Sequence, residues 1–449
     1  MPLAKRQGAT AVRKTSSRGS RTKSRSRGSS GGRGKLQARF KKMQRKYAKL
    51  KKKYRLIRSI PPGTTDRYMY EATVFAHAYD FTPDELRASL AAGSQAPHGP
   101  YRTALWFLPY FETPFYGGMH TILRFADFLQ KRYGIRSSFA IVGTKDTSPI
   151  AASIQKAFPG LAGNPVYPLP NIYRFDGLPD HDLGICTLWT TAYSLLKFNR
   201  VRRKLYFMQD YEPYFYPSGS TSSQVMATYR FGFDGICNTP ALLASYEEHG
   251  GRGAAFTPAV NRAIFYPDPA LREAQSPGRL FFYARPGTAR NCFELAAAAL
   301  RKLKETLGGK VDIVSAGAEW DVTRYGLQGI VRHLGMLPYE QTGQLYRTCR
   351  AGLALMSTRH PSYPPLELMA CGSLVVTNNN EWNHWLFRHG ENCLLSEPTA
   401  TCLYESLYHA VTNRELRERI TTRALEYIRQ EHSDWDGELQ RTAEALSIH

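Results

Sequence analysis

The pattern of apolar and polar positions separates a basic arm from an α/β body. Residues 1–34 contain almost no large apolar side chains, so they cannot bury enough surface to offset chain entropy, and we expect disorder there. In residues 36–57 apolar side chains recur at alternating steps of four and three, at Leu36, Phe40, Met43, Tyr47, Leu50, Tyr54 and Ile57. This heptad spacing predicts an amphipathic helix that ends before Pro61.

From about residue 59 the apolar positions follow the rhythm of an α/β protein. Residues 103–109 (TALWFLP) predict a buried strand, and an amphipathic helix then leads to a second strand at 138–143. This strand–helix–strand spacing favours a parallel sheet. Similar apolar runs predict further strands at 183–188, 204–209 and 233–237.

The second half of the chain repeats this rhythm. Strands are predicted at 279–284, 311–315, 352–356, 373–377 and 393–395, and helices at about 292–306, 340–350, 364–371 and 382–389. We therefore predict two Rossmann-like α/β lobes facing a central cleft, at residues 59–250 and 251–430, with a closing helix at 431–449. Such a cleft is a natural ligand site, because strand C-termini and helix N-termini converge there.

Charge is concentrated in the arm, residues 1–58. Of the chain's 60 Lys and Arg, 22 lie in this arm, which has no Asp or Glu, so the rest of the chain is nearly neutral. Many basic side chains on an amphipathic helix favour association with an anionic membrane surface. A coiled coil between two chains, a solvated arm without a fixed partner and, least favoured, nucleic-acid binding remain alternatives.

Seven scattered cysteines without a CxxC pair argue against a structural zinc site and a disulfide framework, and they fit a reducing cytoplasm. No stretch approaches 18 apolar residues, so we expect no transmembrane helix. The N-terminus also lacks the apolar core of a secretory signal. We expect a cytoplasmic protein, at the inner face of the plasma membrane if the arm binds lipid; import into an organelle is the alternative.

Two arginines follow the first predicted strand of the second lobe. Arg285 and Arg290 lie five residues apart, and Asn291 with Glu294 resembles the start of a capped helix. Guanidinium groups beside a helix N-terminus suit a polyanion, because backbone N–H groups, the helix dipole and fixed cations act on the same charge. The alternative is a pair of exposed surface arginines.

A second candidate site is the segment 357–372, STRHPSYPPLELMACG. Here Ser362 is predicted to cap a helix, and the free amides of Ser362 and Tyr363 could hold part of an anionic ligand. Glu367, one turn into this helix, can accept two hydrogen bonds from a ribose diol. The alternative is a glutamate that faces solvent.

Residues 279–446 resemble the donor-binding lobe of family 4 glycosyltransferases, which have the GT-B fold. Three sequence segments are similar to those of WsaF-type rhamnosyltransferases, namely YARPGTARN, MQDYEPYFYP and HPSYPPLE. The resemblance covers about residues 100–446. It implies that Arg285 and Arg290 hold the diphosphate of a nucleotide sugar and that Glu367 binds its ribose. It also implies that backbone groups near His333 to Met336 meet the base.

In the first lobe, the resemblance implies that the Gly117-Gly118 loop lets the backbone approach the donor and acceptor. Asp210 and Glu212 lie where such enzymes contact the donor sugar, and they are candidates to orient a sugar hydroxyl or take a proton. The alternative is that both are acidic residues of a surface loop. One departure is that the family has a glutamate eight residues before Glu367, where this chain has Arg359.

These inferences together predict a metal-independent glycosyltransferase with no cofactor besides its substrate, and the resemblance implies that it retains the configuration of the transferred sugar. The donor would be dTDP-rhamnose and the acceptor a glycan or a lipid-linked glycan. The alternative is a non-catalytic scaffold that binds membrane or nucleic acid through residues 1–58. A sugar-nucleotide epimerase of the same fold is a third, less favoured reading.

Overall fold

Two parallel sheets, each in Rossmann order, organise the chain. The structure is a computed structural model that describes residues 67–94, 99–115 and 117–449. The predicted basic arm, its heptad helix and its membrane contact lie outside these residues. The chain divides into two compact units, Met1–Thr73 and Val74–His449. Helix α1 (Arg67–Ala78) begins in the first unit, and both sheets belong to the second.

The first lobe is built on a seven-stranded sheet. Its strands are β1 (Thr103–Pro109), β2 (Arg136–Val142), β3 (Val166–Leu169), β4 (His181–Cys186), β5 (Val201–Met208), β6 (Asp234–Asn238) and β7 (Arg252–Phe256). Its helices are α2 (Pro83–Ser94), α3 (Gly117–Tyr133), α4 (Ser148–Ala157), α5 (Trp189–Lys197), α6 (Ser220–Thr228) and α7 (Pro240–Glu247). The strand order β3-β2-β1-β4-β5-β6-β7 reverses direction between β1 and β4. Ligands of such sheets bind beyond the carboxyl ends of the strands.

The second lobe is built on a six-stranded sheet of the order β10-β9-β8-β11-β12-β13. Its strands are β8 (Gly278–Phe282), β9 (Val311–Ser315), β10 (Val331–His333), β11 (Cys349–Leu353), β12 (Leu374–Asn378) and β13 (Leu394–Ser396). Its helices are α8 (Pro269–Glu273), α9 (Phe293–Leu307), α10 (Tyr339–Arg347), α11 (Pro364–Ala370), α12 (Ala400–Thr412) and α13 (Arg414–Glu431). The order again reverses, here between β8 and β11.

The last helix, α14 (Trp435–Ala445), packs on the first lobe although it follows the second lobe in sequence. Leu439 and Ala443 belong to the hydrophobic core that surrounds β1. The buried Arg203 of β5 donates from Nη1 to the carbonyl of Leu446, 2.6 Å away. Apolar packing and a hydrogen bond from a side chain to a backbone carbonyl thus connect the end of the chain to the first lobe.

Two local expectations are wrong. Helix α9 begins at Phe293 after Cys292, whose φ is +47°, so Asn291 does not cap it. The Asn291 side chain is instead buried and donates to the carbonyl of Leu355. The predicted helix at 382–389 is a single 3-10 turn, Glu381–Asn383.

Within the described ranges no helix has the length and hydropathy of a membrane-spanning segment.

The sequence pattern also missed the short strands β3, β7 and β10. Strand β3 has four residues and contains Pro168, and β10 has three residues at the edge of its sheet. Runs this short contain too few positions to show the two-residue alternation of a strand. Their pairing depends on a neighbouring strand that is distant in sequence.

Candidate functional site

The two lobes meet at an ion pair between two of the predicted catalytic residues. Asp210 follows β5 in the first lobe, and Arg290 follows β8 in the second. The Oδ2 atom of Asp210 lies 3.3 Å from Nε of Arg290. This contact lacks hydrogen-bond geometry, so the buried Nε–H group of Arg290 has no acceptor among the described residues. Arg290 therefore keeps a donor that a bound anion can use.

Burial and the neighbouring charge act in opposite directions on Asp210. The loss of solvent raises the pKa of its carboxyl to about 6, while the positive charge of Arg290 and a hydrogen bond from Thr358 lower it. Its Oδ1 atom accepts from the amide of Tyr211 at 2.8 Å. At neutral pH this carboxyl is mainly ionised and close to the pKa that suits a general base.

Arg290 is also positioned by an aromatic ring. Its guanidinium carbon lies 4.1 Å above the ring centroid of Phe215, a cation–π contact that crosses between the lobes. Arg285 is half-buried, and its Nη1 atom donates to the hydroxyl of Tyr283 at 3.3 Å. The charge of Arg285 contributes to lowering the pKa of Arg290, after the larger effect of burial, so the two guanidinium groups are close enough to act on one ligand.

Glu212 has a different position from the one predicted. Its carboxyl is buried inside the first lobe, where Oε2 accepts from the amide of Trp189 at 2.6 Å, at the start of α5. Burial raises its pKa to about 8, and hydrogen bonds from Trp189 and Tyr206 oppose that rise. Glu212 thus satisfies a free amide of a helix N-terminus, a structural role that does not support the predicted catalytic one.

The glycine loop of the first lobe contacts the HPSYPPLE segment of the second. A Cβ atom on Gly117 would lie 2.6 Å from Cδ2 of Tyr363, whereas one on Gly118 would lie 3.7 Å from the Gln209 side chain. The hydroxyl of Tyr363 lies 2.7 Å from Oγ1 of Thr121 and 2.7 Å from Nδ2 of Asn238. The absence of a side chain at Gly117 therefore allows the ring of Tyr363 to approach the first lobe.

Ser362 does not cap helix α11. The residue before the helix is Tyr363, and no side chain accepts a capping hydrogen bond there. The amide of Ser362 donates to Nδ1 of His360 at 3.0 Å, so it is not free for a ligand. Ser362 also has φ +66°, in the left-handed region that non-glycine residues seldom adopt. Of the predicted pair of amides, only that of Tyr363 remains a candidate.

Glu367 lies in the first turn of α11 and is half-buried. Its carboxylate makes no hydrogen bond or ion pair within the part of the chain that the structure describes. Desolvation raises its pKa to about 8. Both oxygens are therefore available to a ligand, as the predicted contact with a ribose diol requires.

Arg359 stands where the resemblance places a glutamate, and it links the two lobes. Its Nη1 atom donates to Oγ of Ser245 at 2.6 Å and to Oε2 of Glu248 at 2.9 Å, both in the first lobe. The guanidinium carbon lies 3.7 Å from the ring centroid of Trp382 and 4.4 Å from that of Tyr211. A guanidinium group is positively charged and only donates hydrogen bonds, so Arg359 does not replace the missing carboxylate.

The segment from His333 to Met336, which the resemblance predicts to contact the base, makes its contacts with side chains of the second lobe. Nδ1 of His333 lies 2.9 Å from Oγ of Ser315, and the ring of His333 lies beside Trp320, with centroids 4.8 Å apart. The amide of Met336 donates to Oε1 of Glu319 at 3.1 Å. The role of this segment in base binding stays a prediction.

Sequence reasoning missed the polar side chains that connect these residues, namely Thr121, Gln209, Asn238, Thr358 and His360. Most of them lie just beyond the carboxyl end of a strand or in the turn that follows it. Listing every polar residue at those positions would have found them. Among residues 67–94, 99–115 and 117–449, no three His, Cys, Asp or Glu side chains are grouped to hold a metal ion.

Comparison with known proteins agrees with this arrangement of two lobes. The structure of HepE from Anabaena, in complex with UDP and glucose, aligns with 77% of this chain and 100% of its own, at a TM-score of 0.61 and 16% identity. A glycosyltransferase from Rickettsia africae aligns with 78% of this chain and 98% of its own, at a TM-score of 0.54 and 12% identity. The chain has the GT-B fold. The predicted fold class is confirmed.

The sequence comparisons place the second lobe in a narrower group. Residues 278–408 match the family described as WsaF, C-terminal domain. The O-antigen biosynthesis protein RfbC of Myxococcus xanthus is 46% identical over 380 residues, which are 82% of this chain. The chain spans 29% of the length of that relative. The predicted resemblance to WsaF-type proteins of the GT-B fold is confirmed.

Proposed function

We propose that this protein is a glycosyltransferase that moves a sugar from a nucleoside diphosphate to a glycan or lipid-linked acceptor during synthesis of a cell-surface polysaccharide. The observation that carries this proposal is the position of Arg290. It lies in the segment that follows β8, its charge is close to that of Arg285, and its buried Nε–H group lacks an acceptor among the described residues. The names of the relatives, with an O-antigen biosynthesis protein among them, support the polysaccharide pathway.

The two arginines stabilise the leaving group in this reaction. As the bond between sugar and diphosphate breaks, negative charge grows on the diphosphate, and fixed guanidinium groups stabilise it without reorganisation. They supply the positive charge for this step, so we propose transfer without a metal ion. The unpartnered carboxylate of Glu367 accepts from the ribose diol and fixes the position of the nucleotide. The contacts between the lobes keep water away from the reacting carbon.

Asp210 changes partner in this proposal. Without ligand its carboxylate occupies the place beside Arg290, 3.3 Å from Nε. A diphosphate bound to Arg290 competes for the same guanidinium and frees Asp210 to orient, or take a proton from, the acceptor hydroxyl. Beside Arg290 the carboxyl has a pKa of about 6 and is ionised at neutral pH, and release from Arg290 raises that pKa, which makes the carboxylate a stronger base for the proton.

The donor sugar and its stereochemistry rest on resemblance to WsaF-type proteins. We propose rhamnose from dTDP-rhamnose, transferred with retention of configuration. The HepE neighbour is in complex with UDP and with glucose, so uridine donors belong in the same test. A cytoplasmic site of action, with residues 1–58 at the membrane surface, completes the proposal.

Ligand binding distinguishes a glycosyltransferase from a non-catalytic scaffold. We expect thymidine, uridine or guanosine diphosphate, or the corresponding nucleotide sugar, to raise the melting temperature, since a ligand that binds only the folded state stabilises it. Arg285→Ala and Arg290→Ala should lose that shift and sugar transfer, while Arg324→Ala, which removes an exposed arginine outside the site, should keep both. Near-normal transfer by either site variant would exclude the role of that arginine.

The scaffold hypothesis predicts a different result. Deletion of residues 1–58 should leave transfer to a soluble acceptor intact and reduce recovery with membranes if the protein is an enzyme. If the body is inactive and the arm binds membrane or nucleic acid, the same deletion removes the only activity, and no nucleotide stabilises the full chain.

A further inference from the structure

One short segment of the first lobe makes two contacts with Arg290 of the second lobe. Asp210 follows β5, and Phe215 belongs to the 3-10 turn that comes next, Glu212–Phe215. Asp210 forms the ion pair with Arg290, and the guanidinium carbon of Arg290 lies 4.1 Å above the ring centroid of Phe215. The segment thus places a carboxylate and an aromatic ring beside the same arginine.

Hydrogen bonds to buried residues hold this turn against the first lobe. Oε2 of Glu212 accepts from the amide of Trp189 at 2.6 Å, and the indole Nε1 of Trp189 donates to the hydroxyl of Tyr216 at 3.1 Å. The amide of Glu212 donates to the hydroxyl of Tyr229 at 3.2 Å. Trp189 and Tyr229 are themselves buried. The backbone is therefore fixed on both sides of Phe215, and the ring has a defined position before a ligand arrives.

The carboxylate and the ring act on Arg290 in different ways. A carboxylate is an anion, so it competes with a diphosphate for the charge and the N–H groups of a guanidinium. A phenylalanine ring attracts the cation through the negative face of its π system and has no lone pair that accepts a hydrogen bond. The buried Nε–H group of Arg290 has no acceptor among the described residues. The ring therefore holds the guanidinium and leaves its donors available to an anion.

This difference matters when a ligand binds. In the proposed function the diphosphate displaces Asp210, so Phe215 remains as the contact from the first lobe that keeps the guanidinium in place. Ordering a side chain as long as arginine costs rotamer entropy, and a contact that orders it beforehand reduces this cost at the moment of binding. The Arg290 side chain is only 26% exposed, and a cation–π contact is stronger where the cation is largely removed from water.

We propose that Phe215 is a positioning residue that orients Arg290, from the opposite lobe, for the negative charge of the leaving diphosphate. This inference rests on the proposed function, which puts the diphosphate at Arg290. A cation that is already in place stabilises growing charge without reorganisation. Because the ring and the arginine belong to different lobes, separation of the lobes releases the guanidinium. Stabilisation of the leaving group is thereby coupled to the arrangement of the lobes that the structure shows.

Binding of the leaving group itself tests this role without an acceptor. Calorimetry measures the dissociation constants of thymidine, uridine and guanosine diphosphates for the full chain and its variants, whose melting temperatures without ligand show that they are folded. Phe215→Leu removes the face of the ring and keeps an apolar side chain, whereas Phe215→Tyr keeps the face. Tyr404→Leu is the matched control, because it removes another cation–π contact, in which Nζ of Lys302 lies 4.4 Å from the ring centroid, on helices α9 and α12.

We expect Phe215→Leu to weaken binding of the nucleoside diphosphate about two- to thirtyfold, the range that corresponds to one cation–π contact from exposed to desolvated sites. Phe215→Tyr and Tyr404→Leu should bind it as the wild type does. The double variant Arg290→Ala/Asp210→Asn has no guanidinium beside the ring. Adding Phe215→Leu to it should change the dissociation constant less than about twofold, because the ring acts through Arg290.

Wild-type affinity in Phe215→Leu would overturn the positioning role and leave the proposed function intact. An equal loss with and without Arg290 would also overturn it, because Phe215 would then support only the fold of its turn. The same conclusion would follow if Phe215→Tyr lost as much affinity as Phe215→Leu. A wild-type chain that binds none of the three nucleoside diphosphates would reject the proposed function, and this inference with it.

Discussion

The ring of Tyr363 in the second lobe lies against the backbone of Gly117 in the first, so closely that a Cβ atom on Gly117 would be 2.6 Å from Cδ2 of the ring. This contact joins the glycine loop after β1 to the segment that precedes α11. Both residues were expected to bind the donor nucleotide, and the structure shows that they bind each other. The contact therefore helps to hold the two lobes in the arrangement that the structure shows.

Gly117→Ala should disturb this contact. The new methyl group requires the tyrosine ring or the lobe to move, and overpacking of this kind costs about 1–3 kcal/mol. We expect a lower free energy of unfolding and a larger radius of gyration by small-angle X-ray scattering. Gly118→Ala is the matched control, because its Cβ would meet Gln209 at an ordinary 3.7 Å. Equal effects of the two substitutions would contradict the role of Tyr363.

Arg290→Ala should lower stability as well as activity. It leaves the carboxyl of Asp210 buried without its partner, and a buried unpaired acid must be protonated or pay for desolvation. We expect the midpoint of urea unfolding to fall and the pKa of Asp210 to rise above about 6. The double variant Arg290→Ala/Asp210→Asn should recover stability and remain inactive. A stable Arg290→Ala single variant would argue against the ion pair.

Binding of the donor should depend on pH through Glu367. Burial raises the pKa of this carboxyl to about 8, and the ribose contact needs the ionised form. The dissociation constant of a nucleotide sugar should therefore increase as the pH falls below 8, by at most about tenfold per pH unit. A nucleotide sugar is the suitable probe because its diphosphate has no terminal phosphate that titrates in this range. The Glu367→Gln variant should bind the nucleotide sugar more weakly, and its dissociation constant should not change with pH in this range. If the variant shows the same pH dependence as the wild type, Glu367 is not the group that causes it.

Stability should decrease with rising pH because of Glu212. Its pKa is about 8 in the folded protein against 4.5 for an unperturbed glutamate, so the folded state binds more protons between these values. The free energy of unfolding should therefore fall as the pH rises from 4.5 to 8, by at most about 1.4 kcal/mol per pH unit. Glu212→Gln keeps an acceptor for the amide of Trp189 and should reduce this slope in urea titrations by the share of Glu212, while Glu367, whose pKa is also about 8, keeps its own share. An equal slope in both proteins would show that another group titrates.

Arg359 should favour the closed arrangement of the lobes. Arg359→Ala removes the contacts with Glu248, Ser245 and Tyr211, so we expect a larger radius of gyration and a raised KM for the donor. Glu248→Gln should have a smaller effect, since the Glu248 side chain is 51% exposed and exposed ion pairs contribute little. A double-mutant cycle should give a coupling of about 0.5–1 kcal/mol. No coupling would assign the effect to the aromatic rings alone.

The sequence by itself determined the α/β class and the two lobes, and it indicated several candidate site residues whose roles stay predictions. Strand β1 is apolar along its whole length after Thr103, because a parallel sheet covered on both faces excludes polar side chains. The positions of Arg290 and Glu367 near the ends of strands could be predicted from the sequence. Each residue lies between a strand and a helix or at the start of a helix, and the order of these elements along the chain fixes that position. The short strands and the cap of α9 gave weaker local signals, and the predictions there failed.

Only the tertiary structure decided which residues meet. Asp210 and Glu212 are two positions apart and equal as candidates in sequence, yet one faces Arg290 and the other holds the start of α5. The roles of Arg359, Asn238 and Phe215 likewise depend on partners in another part of the chain. The physical reason is that burial and hydrogen-bond satisfaction are set by neighbours in space, and a linear pattern specifies only neighbours along the chain.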